Sequence, residues 1–135
     1  MLSEVAILII VLGCLFGTPF LGHAQQEEWV VPQEETLVEN PLSGDEEAWM
    51  KGQKLFKKIC WTCHGISGEG DGPASLNLNP KPKNLTDPEL QKQTDGALFW
   101  KMSNGRGAMA PYKMSLTETQ RWQLVNYIRT LKNSQ

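Results

Sequence analysis

Five consecutive residues, Cys60-Trp61-Thr62-Cys63-His64, constrain the fold of this chain more than any others. Two thiols three positions apart stand one helical turn from each other, and the next residue sets an imidazole beside them. This C-x-x-C-H spacing is the attachment pattern of c-type haem, in which both thiols bond to the vinyl groups of one porphyrin and the imidazole reaches the iron. Other uses of the residues fit less well. A structural zinc site needs about four Cys or His ligands, and beyond Cys14 and His23 near the N-terminus the sequence contains only these three. A thioredoxin-like dithiol belongs with a βαβ pattern, and the sequence has none. The expected cofactor is therefore haem c, bound covalently through Cys60 and Cys63 with His64 on the iron.

The N-terminal residues fit that expectation. Val5 to Phe16 are almost wholly apolar, and Gly22-His23-Ala24 offers a small-residue cleavage site before Gln25. Residues 1–24 read as a secretory signal peptide, although Glu4 stands where a positive residue is usual. The stretch is too short, and too interrupted by Gly13, Gly17 and Pro19, for a comfortable membrane span. Val11-Leu12-Gly13-Cys14 also resembles a lipobox, which would leave Cys14 lipidated; an uncleaved anchor is a further alternative. The expected location is periplasmic or otherwise extracytoplasmic, where c-type haem is attached, with membrane association through an anchor or a membrane complex as an alternative.

Charge divides the remainder. From Gln25 to Glu47 there are eight acids and no bases, whereas from Ala48 onward six acids face all thirteen Lys and Arg. Residues 25–44, rich in Glu and Gln and holding Pro32 and Pro41, read as an acidic linker. Trp29-Val30-Val31 and Leu37-Val38 are too apolar for a fully solvated tail, so part of this segment is expected on the domain surface. The basic body favours redox protein partners with an acidic docking surface, with Lys51, Lys54, Lys57, Lys58 and Lys113 as steering residues. Nucleic acid is not expected, because the bases are mostly scattered lysines without interleaved aromatic residues.

Residues 45–135 read as one all-α domain. Ala48, Gly52, Leu55, Phe56 and Ile59 recur on one helical face between Asp45 and Cys60, with Ser43 or Asp45 as the cap. Glycines and prolines from Gly65 to Asp87 break periodicity, predicting a long loop. A short helix is expected from Asp95 to Asn104, stopped by Gly105. A last helix is expected from Glu118 to Lys132, opened by a Thr117–Gln120 capping box and striped by Trp122, Val125, Ile128 and Leu131. Core residues are few for such a domain. A buried porphyrin would supply the missing apolar surface, with Leu76, Leu78, Leu85, Trp100 and Leu116 packing on it.

Once His23 is removed, no second histidine can ligate the iron, and methionine is the natural sixth ligand. Met50 and Met102 fall at helix positions suited to packing. Met109 and Met114 lie in the irregular stretch between the last two helices, where a loop can cross the haem face. Met109 is preferred to Met114 because Gly105 and Gly107 allow close backbone approach and Pro111 stiffens the loop.

These motifs together make the chain resemble the class I, mitochondrial-like mono-haem cytochromes c, in particular the small bacterial members. The likeness runs from about Asp45 to Lys132. Its carriers are Gly52-x-x-Leu55-Phe56 leading into the C-x-x-C-H motif, Gly68-Glu69-Gly70-Asp71-Gly72-Pro73, and Asn104-Gly105-Arg106-Gly107-Ala108-Met109 followed by Arg121-Trp122-x-Leu124-Val125-x-Tyr127-Ile128. The resemblance implies a cytochrome c-like fold of few helices and long loops around one haem. In it the first and last helices cross at Gly52, and Phe56 packs near Trp122 or Tyr127. It also implies that a proline carbonyl, of Pro73 or Pro80, accepts a hydrogen bond from the His64 ring. The family's ligand loop usually reads Met-Pro, where this chain has Met109-Ala110-Pro111. With both axial positions filled, the expected function is electron transfer between extracytoplasmic partners rather than enzymatic catalysis. Two alternatives stay open: a haem sensor or catalytic haem with a displaceable sixth ligand, and a docked cytochrome subunit of a larger respiratory or dehydrogenase complex.

Overall fold

A computed structural model describes residues 28–133. The expected signal segment, residues 1–24 with Cys14 and His23, lies outside the described residues. Among those described, the regular structure is helical: α1 (Gln33–Thr36), α2 (Glu46–Leu55), a π-helical turn (Phe56–Cys60), α3 (Trp61–His64), α4 (Pro88–Gln91), α5 (Asp95–Asn104) and α6 (Glu118–Thr130). Short 3₁₀ turns sit at Pro73–Asn77, Tyr112–Met114 and Leu131–Asn133.

Local chemistry accounts for the helix limits. The Asp45 carboxylate accepts from the backbone N–H of Glu47 (2.8 Å) and Ala48 (3.1 Å), satisfying two donors that α2 cannot pair internally. Thr117 and Gln120 form the expected reciprocal box, with Gln120 N donating to Thr117 Oγ1 and Thr117 N to Gln120 Oε1. Gly105, at φ +64°, ends α5 in a conformation that side chains disfavour.

The core lies where α2 crosses α6. A Cβ on Gly52 would fall on the Gln123 carbonyl oxygen and 3.0 Å from the Tyr127 Cβ, so only hydrogen fits at the crossing. One turn later Phe56, fully buried, meets the Tyr127 ring at 5.1 Å and 58°, while Trp122 stacks on Phe99 at 3.9 Å and 14°. Around these gather Leu85, Leu98, Met102, Leu124, Val125, Ile128 and Leu131. Arg129 ties the end of α6 to the α4–α5 connection: its Nε donates to Asp95 Oδ1 (2.7 Å), and its Nη1 and Nη2 donate to the carbonyls of Gln91 and Gln93. No helix among the described residues is long and apolar enough to cross a membrane.

Two parts of the chain differ from the sequence-based expectation. The first helix does not stop at Cys60 but continues to His64 through the π turn. The described part of the acidic segment is also more closely packed than a linker with partial surface contact. Asn40 Nδ2 donates to Asp95 Oδ2 (2.8 Å) and Asn126 Oδ1 (2.7 Å), and Asn126 Nδ2 donates to the Leu42 carbonyl (2.5 Å).

Candidate haem site

The π turn carries helix α2 directly into the C-x-x-C-H residues. Cys60 closes the turn, and Cys63 and His64 occupy α3. Both thiols are free and half-buried. Burial, helped by the neighbouring Cys63, pushes the Cys60 thiol up to about 12. Beyond α3 the loop folds back on the helix end, with Gly70 N donating to the His64 carbonyl (2.8 Å) and Gly72 N to the Cys63 carbonyl (3.1 Å). A further bond from Leu85 N to the Gly68 carbonyl (2.6 Å) brings residues 82–85 alongside.

That return places the partner of the histidine. His64 Nδ1 lies 3.2 Å from the Lys83 carbonyl oxygen. A carbonyl can only accept, so Nδ1 carries the proton and Nε2 is left with its lone pair. The expectation of Pro73 or Pro80 as acceptor is thus corrected to Lys83. Any residue's carbonyl can do this work, so the side-chain sequence does not mark it. Burial lowers the His64 pKa, and the bond to Lys83 opposes that shift in part.

Met109 is set by a tight turn. Arg106 and Met109 exchange both backbone hydrogen bonds at 3.0 Å around Gly107-Ala108. Gly107 has φ +57° and Ala108 does not have positive φ, the pattern of a type II′ turn. Met109 is half-buried against the core, as are Cys60, Trp61, Tyr112 and Leu116. Tyr112 lies close enough to Cys60 and Cys63 for their charges to act on it, after burial, in raising its phenol pKa. Tyr112, three residues after Met109, thus lies near the cysteine helix.

The other methionines separate clearly. Met102 is buried in the core at 5 % exposure, Met50 is 45 % exposed on α2, and Met114 is 80 % exposed. Of the apolar residues expected against a porphyrin, Leu85 belongs to the core and Leu116 packs on it. Leu78 and Trp100 are half-buried, and Leu76 is 77 % exposed.

The donor set fits haem c. It consists of two unpaired thiols on one helical stretch, an imidazole with Nε2 available, and a thioether presented by a rigid turn. Trp122 Nε1 and Arg121 Nε are also buried without a partner, so polar groups remain to be satisfied near the core. No group of three or more His, Cys, Asp or Glu side chains placed to hold a metal ion by themselves is found among the described residues.

The cytochrome c family profile matches residues 49–132, most of the described domain and all of these donors. The chain belongs to the cytochrome c family. Membership brings with it covalently bound haem c and an electron-transfer role. Among curated proteins it is 35 % identical over 94 residues to the Cbb3-type cytochrome c oxidase subunit FixP of Azorhizobium caulinodans, a match covering 68 % of this chain and 30 % of that one. Among solved structures it is similar to a chain of the reducing HAO-like protein complex of Kuenenia stuttgartiensis (TM-score 0.59, 26 % identity, 70 % of this chain and 49 % of that one). It is also similar to the c-type cytochrome KustC0563 (TM-score 0.50, 30 % identity, 59 % and 95 %). The chain spans under a third of the FixP relative and about half of the complex's chain.

Proposed function

We propose that this cytochrome carries single electrons between extracytoplasmic redox proteins, with its haem joined to Cys60 and Cys63 and its iron held between His64 and Met109. The observation that carries the reading is the imidazole of the C-x-x-C-H motif oriented by the Lys83 carbonyl, in a chain that also sets Met109 at a tight turn packed on the core. When bound, the haem supplies a ferric–ferrous couple, the one-electron chemistry that no side chain here provides.

The protein's part is to hold the two axial groups still. The His64–Lys83 bond sets the ring plane and raises the basicity of Nε2. The Arg106–Met109 backbone pair fixes where the thioether points. With haem bound and both His64 and Met109 on its iron, no position would remain for a substrate, and the chain would act as a carrier rather than an enzyme. Lys54, Lys57 and Lys58 are exposed on the helix that leads to Cys60 and have no ion pair among the described residues, whereas Lys51 pairs with Glu47 at 2.8 Å. These lysines favour an acidic partner surface. The apolar stretch from Val5 to Phe16 supports export.

A second reading, a docked subunit of a larger redox assembly, is favoured by the two relatives named as parts of an oxidase and of an HAO-like complex. It keeps the same site and changes only the partner.

The test is an optical spectrum of purified protein with and without carbon monoxide. A low-spin haem that shows a methionine-to-iron charge-transfer band and does not bind carbon monoxide is expected, and Met109→Ala should abolish the band and admit carbon monoxide. A band that survives reassigns the ligand to Met114 or Met102. Ready carbon monoxide binding by the unaltered protein would replace the carrier with a sensor.

A further inference from the structure

The acidic segment ahead of the haem-binding domain meets both ends of α5, and at the first of them α6 as well. At the N-terminal end, a Cβ on Gly96 would strike the Glu35 carbonyl and lie 2.8 Å from that of Val38, so the segment's backbone lies directly on the helix. Asn40 adds its bonds to Asp95 and Asn126 there. At the other end, the half-buried Trp29 ring lies 5.7 Å from Lys101 Nζ and 5.9 Å from the Arg106 guanidinium carbon. Both distances fall within cation–π range.

Arg106 is no ordinary surface cation, because its backbone forms both hydrogen bonds of the turn that sets Met109. Its side chain is exposed and faces the Trp29 ring. Lys101 and Arg106 are like charges close enough to lower the Lys101 pKa, after the larger effect of burial, while Glu28 acts in the opposite sense. The Trp29 ring thus lies beside this pair of like charges.

We infer that Trp29 is a positioning residue for the methionine ligand, holding Met109 on the iron through its contact with the Arg106 side chain. The inference rests on the assignment of Met109 as ligand. The acidic segment is then a strap anchored at Gly96 and Asn40 whose Trp29 bears on the ligand turn.

The experiment titrates the ferric holoprotein with imidazole, an external ligand that must displace the methionine, and follows the charge-transfer band well below the thermal midpoint. An exposed cation–π contact corresponds to about a threefold change. Trp29→Ala should therefore raise the imidazole association constant about threefold, and Trp29→Phe, which keeps a ring face, should restore most of the difference. Arg106→Gln alters an exposed side chain without touching the backbone pair, and should give a rise like that of Trp29→Ala. The double variant should exceed neither single by much, since both remove one contact. Met109→Ala is the control. If its band persists, the ligand assignment fails and the inference falls with it. If that band is lost while Trp29→Ala and Arg106→Gln bind imidazole as the unaltered protein does, or their effects simply add, the inference alone is overturned.

Discussion

At Gly52 one hydrogen atom decides whether two helices can cross. Its neighbour at the crossing is the carbonyl of Gln123, part of the α6 backbone, which cannot swing aside as a flexible side chain could. Gly52→Ala must therefore part the helices or bend one of them, at a cost of about 3 kcal/mol, the upper end of the range for overpacked cores. The expected result is a lower denaturation midpoint with an unchanged denaturant slope, and a native haem spectrum until unfolding begins. Stability equal to that of the unaltered protein would show that the crossing has slack. The crossing at Gly52 came from the family resemblance, while the caps at Asp45, offered beside Ser43, and at Thr117, and the stop at Gly105, were legible in the sequence because each job depends on which residue is present. Lys83 was not. Its contribution to the site is a backbone carbonyl, and the side chain attached to that carbonyl gives no sign of it.

Between Gly52 and the haem motif, the element that matters is the π turn at Phe56–Cys60. Such a turn takes up one residue more than an α-helical path, so the residues beyond it keep the face they would have in a regular helix one residue shorter. Periodicity did not reveal it. The apolar face reads as α-helical through Ile59, and a single absorbed residue leaves too small a phase change to see in so short a run. The turn implies an asymmetry. Deleting Lys58, which is exposed, should convert the turn to ordinary helix and leave Cys60, Cys63 and His64 facing the core. Inserting an alanine after Lys58 has no such outlet and would swing the motif by about 100°. Co-expressed with haem-attachment machinery, the deletion should yield haem-stained protein near the normal level, and the insertion on the order of tenfold less. Equal loss from both changes would mean that the π geometry itself is required for attachment.

Across the whole molecule, order reaches further from the site than composition indicated. The acidic residues of the leading segment mark it as solvent-loving, yet its position is fixed by partners distant in sequence: Asn40 with Asp95 and Asn126, and Trp29 with Lys101 and Arg106. Long-range pairings of this kind leave no local pattern to read. Among the described residues, ten buried apolar side chains surround the α2–α6 crossing, while Ile66, Leu76 and Met114 in the loops are more than two-thirds exposed. An apolar cofactor that removed only roughly 300 Å² of such surface from water would contribute about 7 kcal/mol, which is comparable to the whole stability of an ordinary small domain, about 5–15 kcal/mol. A binder that recognises only the native state stabilises it by linkage, and a covalent tether makes that contribution independent of cofactor concentration. The haem-free protein should therefore lack a stable fold. Cys60→Ser/Cys63→Ser, purified without haem, should show reduced helical circular dichroism and no cooperative thermal transition, with residual amide protection confined to α2 and α6, where the Gly52 contact needs no cofactor. A sharp transition with full native helicity would show that the polypeptide core suffices, and that haem occupies a scaffold already formed.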